Sequence, residues 1–192
     1  MKKNVFSRYV AAGFSLRKNE KQNVAAPFRV RKIKEKKHRL PLEYYKGKIS
    51  VFYTLCIKDS KKIFTDKKTV DNFIKILEEC IPLFKCTIPV YCFMPDHLHM
   101  IISGLEDKSN IWKCVVLFKQ KTGYYLSNNF KNVRWQKDFY DHIIRRSETL
   151  SNIVRYILQN PVRKGIVERW KDYPFSGSIG IKLEDVLNGI YD

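Results

Sequence analysis

His97-Leu98-His99 sets two imidazoles one residue apart in a chain of 192 residues with only four histidines. Side chains alternate between faces along a strand. In an extended segment His97 and His99 therefore point one way, while Leu98 and Met100 point to the other side, into a core. Two imidazoles side by side are the start of a divalent-metal site. Pro95-Asp96 just before them reads as a tight turn, and Asp96 puts a carboxylate beside the pair. A metal held by two histidines needs further ligands, and a reaction needs a nucleophile. Tyr156 and Asn160 are four residues apart, one turn apart on one face if the segment is helical. An amide oxygen is a competent ligand for a hard divalent ion, and a tyrosine hydroxyl can form a covalent intermediate. Each feature also has a plainer reading: two surface histidines, an amphipathic tyrosine at a core edge, an asparagine ending a helix.

The elements that must position these groups can be read from periodicity. Residues 49–57 are rich in β-branched and aromatic side chains and predict a strand. Val70, Phe73, Ile74, Leu77 and Ile81 recur at helical spacing and predict a helix over 70–83, with Pro82 near its end. Strands are predicted over 87–94 and 97–103, with a short fourth over 139–145. A second helix is predicted over 109–126, capped by Ser109 or Asn110. A third runs from a cap at Ser147 to about residue 159, with the apolar stripe Leu150, Ile153, Val154, Ile157 and Leu158. Pro161 disfavours helical geometry at Asn160 and should stop it there. At ~100° per residue Tyr156 lies roughly 130° from the centre of that stripe, with Asn160 between them. Hairpin-joined strands interleaved with helices make an α+β domain, an antiparallel sheet with helices packed on it.

Apolar residues make up 44% of the chain, enough for one domain with a real core. Lys and Arg number 37 against 19 Asp and Glu, a net charge of +18. Such a surplus attracts polyanions, first of all nucleic acid, with an anionic membrane surface as the competing partner. Residues 1–40 hold 13 of the basic and 2 of the acidic residues, a net of +11, and show no sustained period. They read as a flexible basic arm before a moderately basic domain. Cys56, Cys80, Cys86, Cys92 and Cys114 are odd in number and lack C-x-x-C spacing, so they read as small core residues in a reducing compartment. No apolar run approaches membrane-spanning length, and Arg8 breaks any signal-peptide block after Met1-Lys2-Lys3. A cytoplasmic, nucleoid-associated protein is expected.

Four segments carry a family resemblance. They are Phe52-Tyr53-Thr54-Leu55-Cys56; Met94-Pro95-Asp96-His97-Leu98-His99; Trp135-Gln136 with Phe139-Tyr140-Asp141-His142-Ile143-Ile144-Arg145; and Tyr156-Ile157 with Asn160-Pro161-Val162 and Gly165. Tyr173-Pro174-Phe175-Ser176 also fits. In this order and spacing, over roughly 38–178, the chain resembles the REP-associated tyrosine transposases of the single-tyrosine HUH superfamily. It departs from them in its long basic extension and at Lys137-Asp138, where a basic–glycine pair is more usual. The resemblance implies a ferredoxin-like sheet in a domain over 41–178, between the arm of 1–40 and a tail of 179–192. It implies a divalent ion, Mg2+ or Mn2+, held by His97, His99 and Asn160, and Tyr156 as nucleophile. The implied activity is metal-dependent cutting and rejoining of hairpin-bearing single-stranded DNA through a 5′-phosphotyrosine, with monomer and homodimer both open.

Around this set, Arg134, Trp135 and Arg145 are candidates to hold phosphates and stack a base, with Trp135 reading equally as core. Arg163 and Lys164 are placed to reach the DNA backbone. His142 beside Asp141 is a supporting candidate, and Tyr140 is the second candidate nucleophile. Two other functions compete: a hairpin-binding protein derived from a transposase that does not cut, and a hydrolase using activated water with Asp96 as base. The arm yields its own test. Deleting residues 1–40 should weaken binding to matched and scrambled hairpins alike. It should also flatten the slope of log affinity against log salt by ~0.7 for each phosphate that the arm would otherwise neutralise. Loss of preference for the matched hairpin would show instead that the arm reads sequence.

Overall fold

The structure, a computed structural model, describes residues 40–145 and 148–190. The basic arm and Ser147, the expected helix cap, lie outside the described residues. Ten principal elements follow in order: β1 (Ser50–Cys56), α1 (Lys67–Cys80), β2 (Cys86–Met94), β3 (His97–Gly104), α2 (Ile111–Asn129), β4 (Tyr140–Ile143), α3 (Leu150–Leu158), α4 (Asn160–Arg163), β5 (Ser176–Ile179) and α5 (Leu183–Leu187). The strands form one sheet in the order β4-β1-β3-β2-β5, and all the pairings are antiparallel. The first six elements run β-α-β-β-α-β with β3 inserted between β1 and β2, which is the ferredoxin-like arrangement; β5 extends it.

Local chemistry sets the helix starts. The Asp66 carboxylate accepts from the Thr69 N–H at 2.9 Å and opens α1. Asn110 rather than Ser109 caps α2, its Oδ1 accepting from the Lys113 N–H at 2.9 Å. Ser109 builds the preceding turn instead: its hydroxyl accepts from the Leu105 and Glu106 N–H groups and donates to the Lys85 carbonyl.

The sheet separates two apolar layers. On one side Val51, Tyr53 and Leu55 of β1 and Leu98, Met100 and Ile102 of β3 pack with Phe73 and Leu77 of α1 and Phe118 of α2. On the other, Val90, Cys92, Met94 and Ile101 pack with Val154, Ile157 and Leu158 of α3 and Val186 of α5. α3 lies over β2 and β3. Coverage differs accordingly: β2 is buried along both faces except at Tyr91, whereas β1 alternates buried and half-buried residues.

Three elements differ from the sequence reading. β5 has no counterpart there, because Ser-Gly-Ser has little strand propensity. Its place depends on close packing: Gly177 pairs with Tyr91, and a Cβ there would lie 2.7 Å from the Tyr91 hydroxyl. The stretch from 179 onward, which reads as a tail, finishes β5 and carries α5, whose Val186 is fully buried. Past Asn160 the chain makes one more helical turn, α4, with Pro161 in its first turn, a position proline tolerates.

Trp135 is core and does not offer a stacking face. It is buried against Phe64, Phe73 and Phe118. Its indole N–H donates at 2.8 Å to Thr122 Oγ1, whose hydroxyl donates at 2.7 Å to the Phe118 carbonyl. Thr122→Val removes the acceptor from a buried indole and should cost about 1–3 kcal/mol in urea unfolding. Thr122→Ser should restore most of it; equal stability of all three proteins would show that the bond contributes nothing.

Candidate active site

The two histidines are presented by the period of β3. Leu98, Met100 and Ile102 enter the α1/α2 layer, and Ile101 enters the α3 layer. His97 and His99 share the side of Ile101, and their Nε2 atoms stand 3.1 Å apart. The turn before them is pinned: Pro95 O accepts from the Ile63 and Phe64 N–H groups, and Asp96 O from that of Ile57.

Each ring is held at its outer nitrogen. His97 Nδ1 lies 2.6 Å from Asp96 Oδ1, and His99 Nδ1 lies 2.9 Å from Thr54 Oγ1. An ionised carboxylate only accepts, so Nδ1 of His97 carries the hydrogen, and in the neutral ring Nε2 presents a lone pair. Thr54 can accept or donate. When it accepts, both Nε2 lone pairs converge, an arrangement that calls for a cation between them. When it donates, His99 Nε2–H bonds to His97 directly. Two imidazole nitrogens bound at a right angle ~2.1 Å from one ion would be ~3 Å apart, so the spacing suits both states. Burial, then the neighbouring His97, then Arg163 pull the His99 pKa down from 6.5 to about 3, against a smaller upward pull from Asp96. The lowered pKa favours the neutral ring, in which one nitrogen carries a hydrogen and the other keeps a lone pair.

Cys56 stands directly across from His97 in the β1–β3 register. Burial and then Asp96 push its thiol up, against a smaller pull from Lys119, which favours the protonated thiol. Among the described residues no group of three or more His, Cys, Asp or Glu is placed to hold a metal. Any third metal donor here would be of another type.

α3 carries Tyr156, and α4 opens at Asn160. Pro161 has no N–H, so the Ile157 carbonyl lacks the donor a regular helix supplies four residues on. Asn160 Nδ2 fills the gap, donating to Ile157 O at 3.0 Å. This turns the amide oxygen outward, where it accepts from Arg163 Nη2 at 2.8 Å. The same guanidinium lies 4.1 Å from the centre of the Tyr156 ring. Tyr156 is 54% exposed, so it points out of the core, in keeping with its place off the apolar stripe. Arg163 thus joins tyrosine, asparagine and, through its charge, His99. Asn160 makes no hydrogen bond to either histidine.

The profile of the family described as "Transposase IS200 like" matches residues 46–160, from just before β1 to the start of α4. The chain belongs to this family. Among IS200-like proteins it is 28% identical over 137 residues to a Haemophilus influenzae protein named for the REP-associated tyrosine transposases, covering 65% of this chain and 77% of that one. It is 32% identical over 107 residues to the REP-associated tyrosine transposase of Escherichia coli K12, covering 54% and 59%. The solved structure of a REP-associated tyrosine transposase bound to a REP hairpin shares the fold, with a TM-score of 0.63, 23% identity, and 82% and 89% of the two chains covered.

In this IS200-like chain the other expected residues scatter around the histidines. Arg134 lines an open groove of about 660 Å³ with Lys58 and Lys137, where β1 leaves the sheet beyond Cys56. The sequence marks Lys137 only as a departure from the family pattern and does not mark Lys58; the fold places the two together. Arg145, Arg163 and Lys164 are exposed. His142 on β4 is bonded to the Glu148 carboxylate at 3.0 Å, tying the strand to the approach to α3 and away from the histidine pair. Asp96 is engaged with His97, which disfavours it as a free base. No helix among the described residues is long and apolar enough to cross a membrane. In metal-free protein the His99 ring should stay neutral as pH falls through 6.5, since its pKa is lowered. Ring nitrogen and carbon shifts in an NMR titration check this; protonation near the ordinary value would mean the ring is not buried.

Proposed function

We propose that the chain is a metal-dependent single-stranded DNA endonuclease and strand transferase that works through Tyr156 on hairpin-bearing DNA. The observation that carries the reading is the convergence of His97 and His99 Nε2 at 3.1 Å on the sheet face packed by the helix of Tyr156. The family supports it, and so do relatives named as tyrosine transposases. The neighbour of the same fold is bound to a REP hairpin, which supports a hairpin as the DNA.

His97 and His99 would hold the ion, Mg2+ or Mn2+, with Asn160 Oδ1 as third ligand once Arg163 releases it. The ion would polarise the scissile phosphate and neutralise charge on its oxygens. Asp96 and Thr54 keep the rings oriented. Tyr156 Oη forms a bond to phosphorus and loses its proton to solvent. The phosphorus–O3′ bond breaks, and the leaving oxygen takes a proton to become a 3′-hydroxyl. The 5′-phosphotyrosine retains the energy of the broken link, so attack by another 3′-hydroxyl rejoins DNA and restores tyrosine without an added energy source. Arg163, freed from Asn160, meets a phosphate with two donors.

Tyr156→Phe should lower covalent adduct formation by ~10³-fold or more while leaving hairpin affinity unchanged. His97→Ala, His99→Ala and excess chelator should do the same, and Tyr140→Phe should keep the adduct. The adduct is read by gel shift of labelled DNA after denaturation. An adduct that survives Tyr156→Phe and disappears with Tyr140→Phe would transfer the role to Tyr140. Full activity in chelator would remove the metal from the reaction.

A further inference from the structure

We infer that the sheet face beside α3 binds an unpaired nucleobase of the DNA strand by stacking it on Tyr140. This rests on the proposed reading of that face as the DNA site, though not on cleavage there. Tyr140, Thr54 and His99 form one cross-strand row: Tyr140 pairs with Thr54 on β1, and Thr54 pairs with His99 on β3. Two strand spacings put Tyr140 ~10 Å from His99 along the sheet. The row lies on the side where β1 is only half-buried, and α3 sits over β2 and β3.

The ring is 58% exposed and leans edge-on against Phe52 with centroids 6.0 Å apart; Phe52 in turn lies 5.6 Å from His99. An aromatic surface therefore runs from the histidine pair across β1 to the edge strand, ending in a ring open to water. The fold does not require that ring. Its neighbour Phe139 turns to the opposite face and packs on Tyr53 and Trp112, which anchors the strand. A short edge strand is ordinarily protected by charge, not by an exposed aromatic.

A nucleobase fits the place. Every base has a π-face, and stacking on an aromatic side chain needs no particular sequence. Exposed Arg145, two residues past the end of β4, and exposed Arg163 on α4 offer cations to the backbone carrying it. The buried Trp135 cannot serve as the platform, whereas the exposed Tyr140 ring adjoins the Phe52–His99 surface.

The test uses the full chain carrying Tyr156→Phe, so that no strand is cut and failure of the cleavage reading leaves the measurement intact. The probe is a REP hairpin with single-stranded flanks in which 2-aminopurine replaces one flank nucleotide at a time. One position should lose fluorescence on binding. That loss should persist with Tyr140→Phe and vanish with Tyr140→Leu. Tyr140→Leu should weaken affinity by about 5- to 100-fold. An abasic site at the responsive position should weaken wild-type binding by a similar factor and add nothing to Tyr140→Leu. Because the abasic probe needs no change in the protein, it stands even if Tyr140→Leu unfolds. The inference is overturned if no flank position responds, if Tyr140→Leu binds as tightly as the parent, or if the abasic and leucine effects multiply.

Discussion

An antiparallel strand with one wholly apolar, buried face cannot exchange its faces, and the whole site depends on that constraint in β3. Leu98, Met100 and Ile102 are drawn into the α1/α2 layer, and Ile101 into the α3 layer. A one-residue slip would drive two imidazoles into the larger core and move three apolar side chains to the half-buried face that the histidines occupy. The same pairing in register brings Thr54 to His99 and sets Tyr140 in their row. The face that the histidines share is thus a by-product of hydrophobic burial, and Asp96 and Thr54 then set the orientation of the rings.

Much of this is legible in the sequence because it is periodic. The alternation around His97-Leu98-His99 assigns the faces, and the stripe of α3 places Tyr156 outside the core, as its exposure bears out. What cannot be read there depends on pairing between distant segments. Thr54 becomes the partner of His99 only once β1 lies against β3. Lys58 and Lys137 meet Arg134 only because the chain returns to the end of β1 at Trp135. Trp135 itself, with a basic neighbour on one side and polar Gln136 on the other, carries no local sign of the threonine that buries it. β5 is hidden for the opposite reason: the small residues that make it a poor strand are the ones that fit against Tyr91.

Electrostatically the site differs from its surroundings. The chain carries a net charge of +18, yet His99 is kept neutral by burial first and by neighbouring charge second. A basic exterior collects an anionic strand over long range, while the interior of the site offers lone pairs and not positive charge. The two properties are separable because one comes from exposed lysines and arginines and the other from desolvation behind α3.

An asparagine side chain is nearly symmetric in outline: its oxygen and nitrogen ends have similar size and opposite electrical sense. Left to itself, Asn160 could present either end at similar cost. The asymmetry comes from Pro161, which has no polar side chain. By withholding one backbone hydrogen, the imino acid opens the Ile157 carbonyl to the nitrogen end, while the oxygen end accepts from Arg163. The oxygen is committed to the outside as a result. The polarity of this side chain is therefore specified by its neighbour along the backbone, and the residue usually regarded as a helix breaker here selects one of two near-identical orientations.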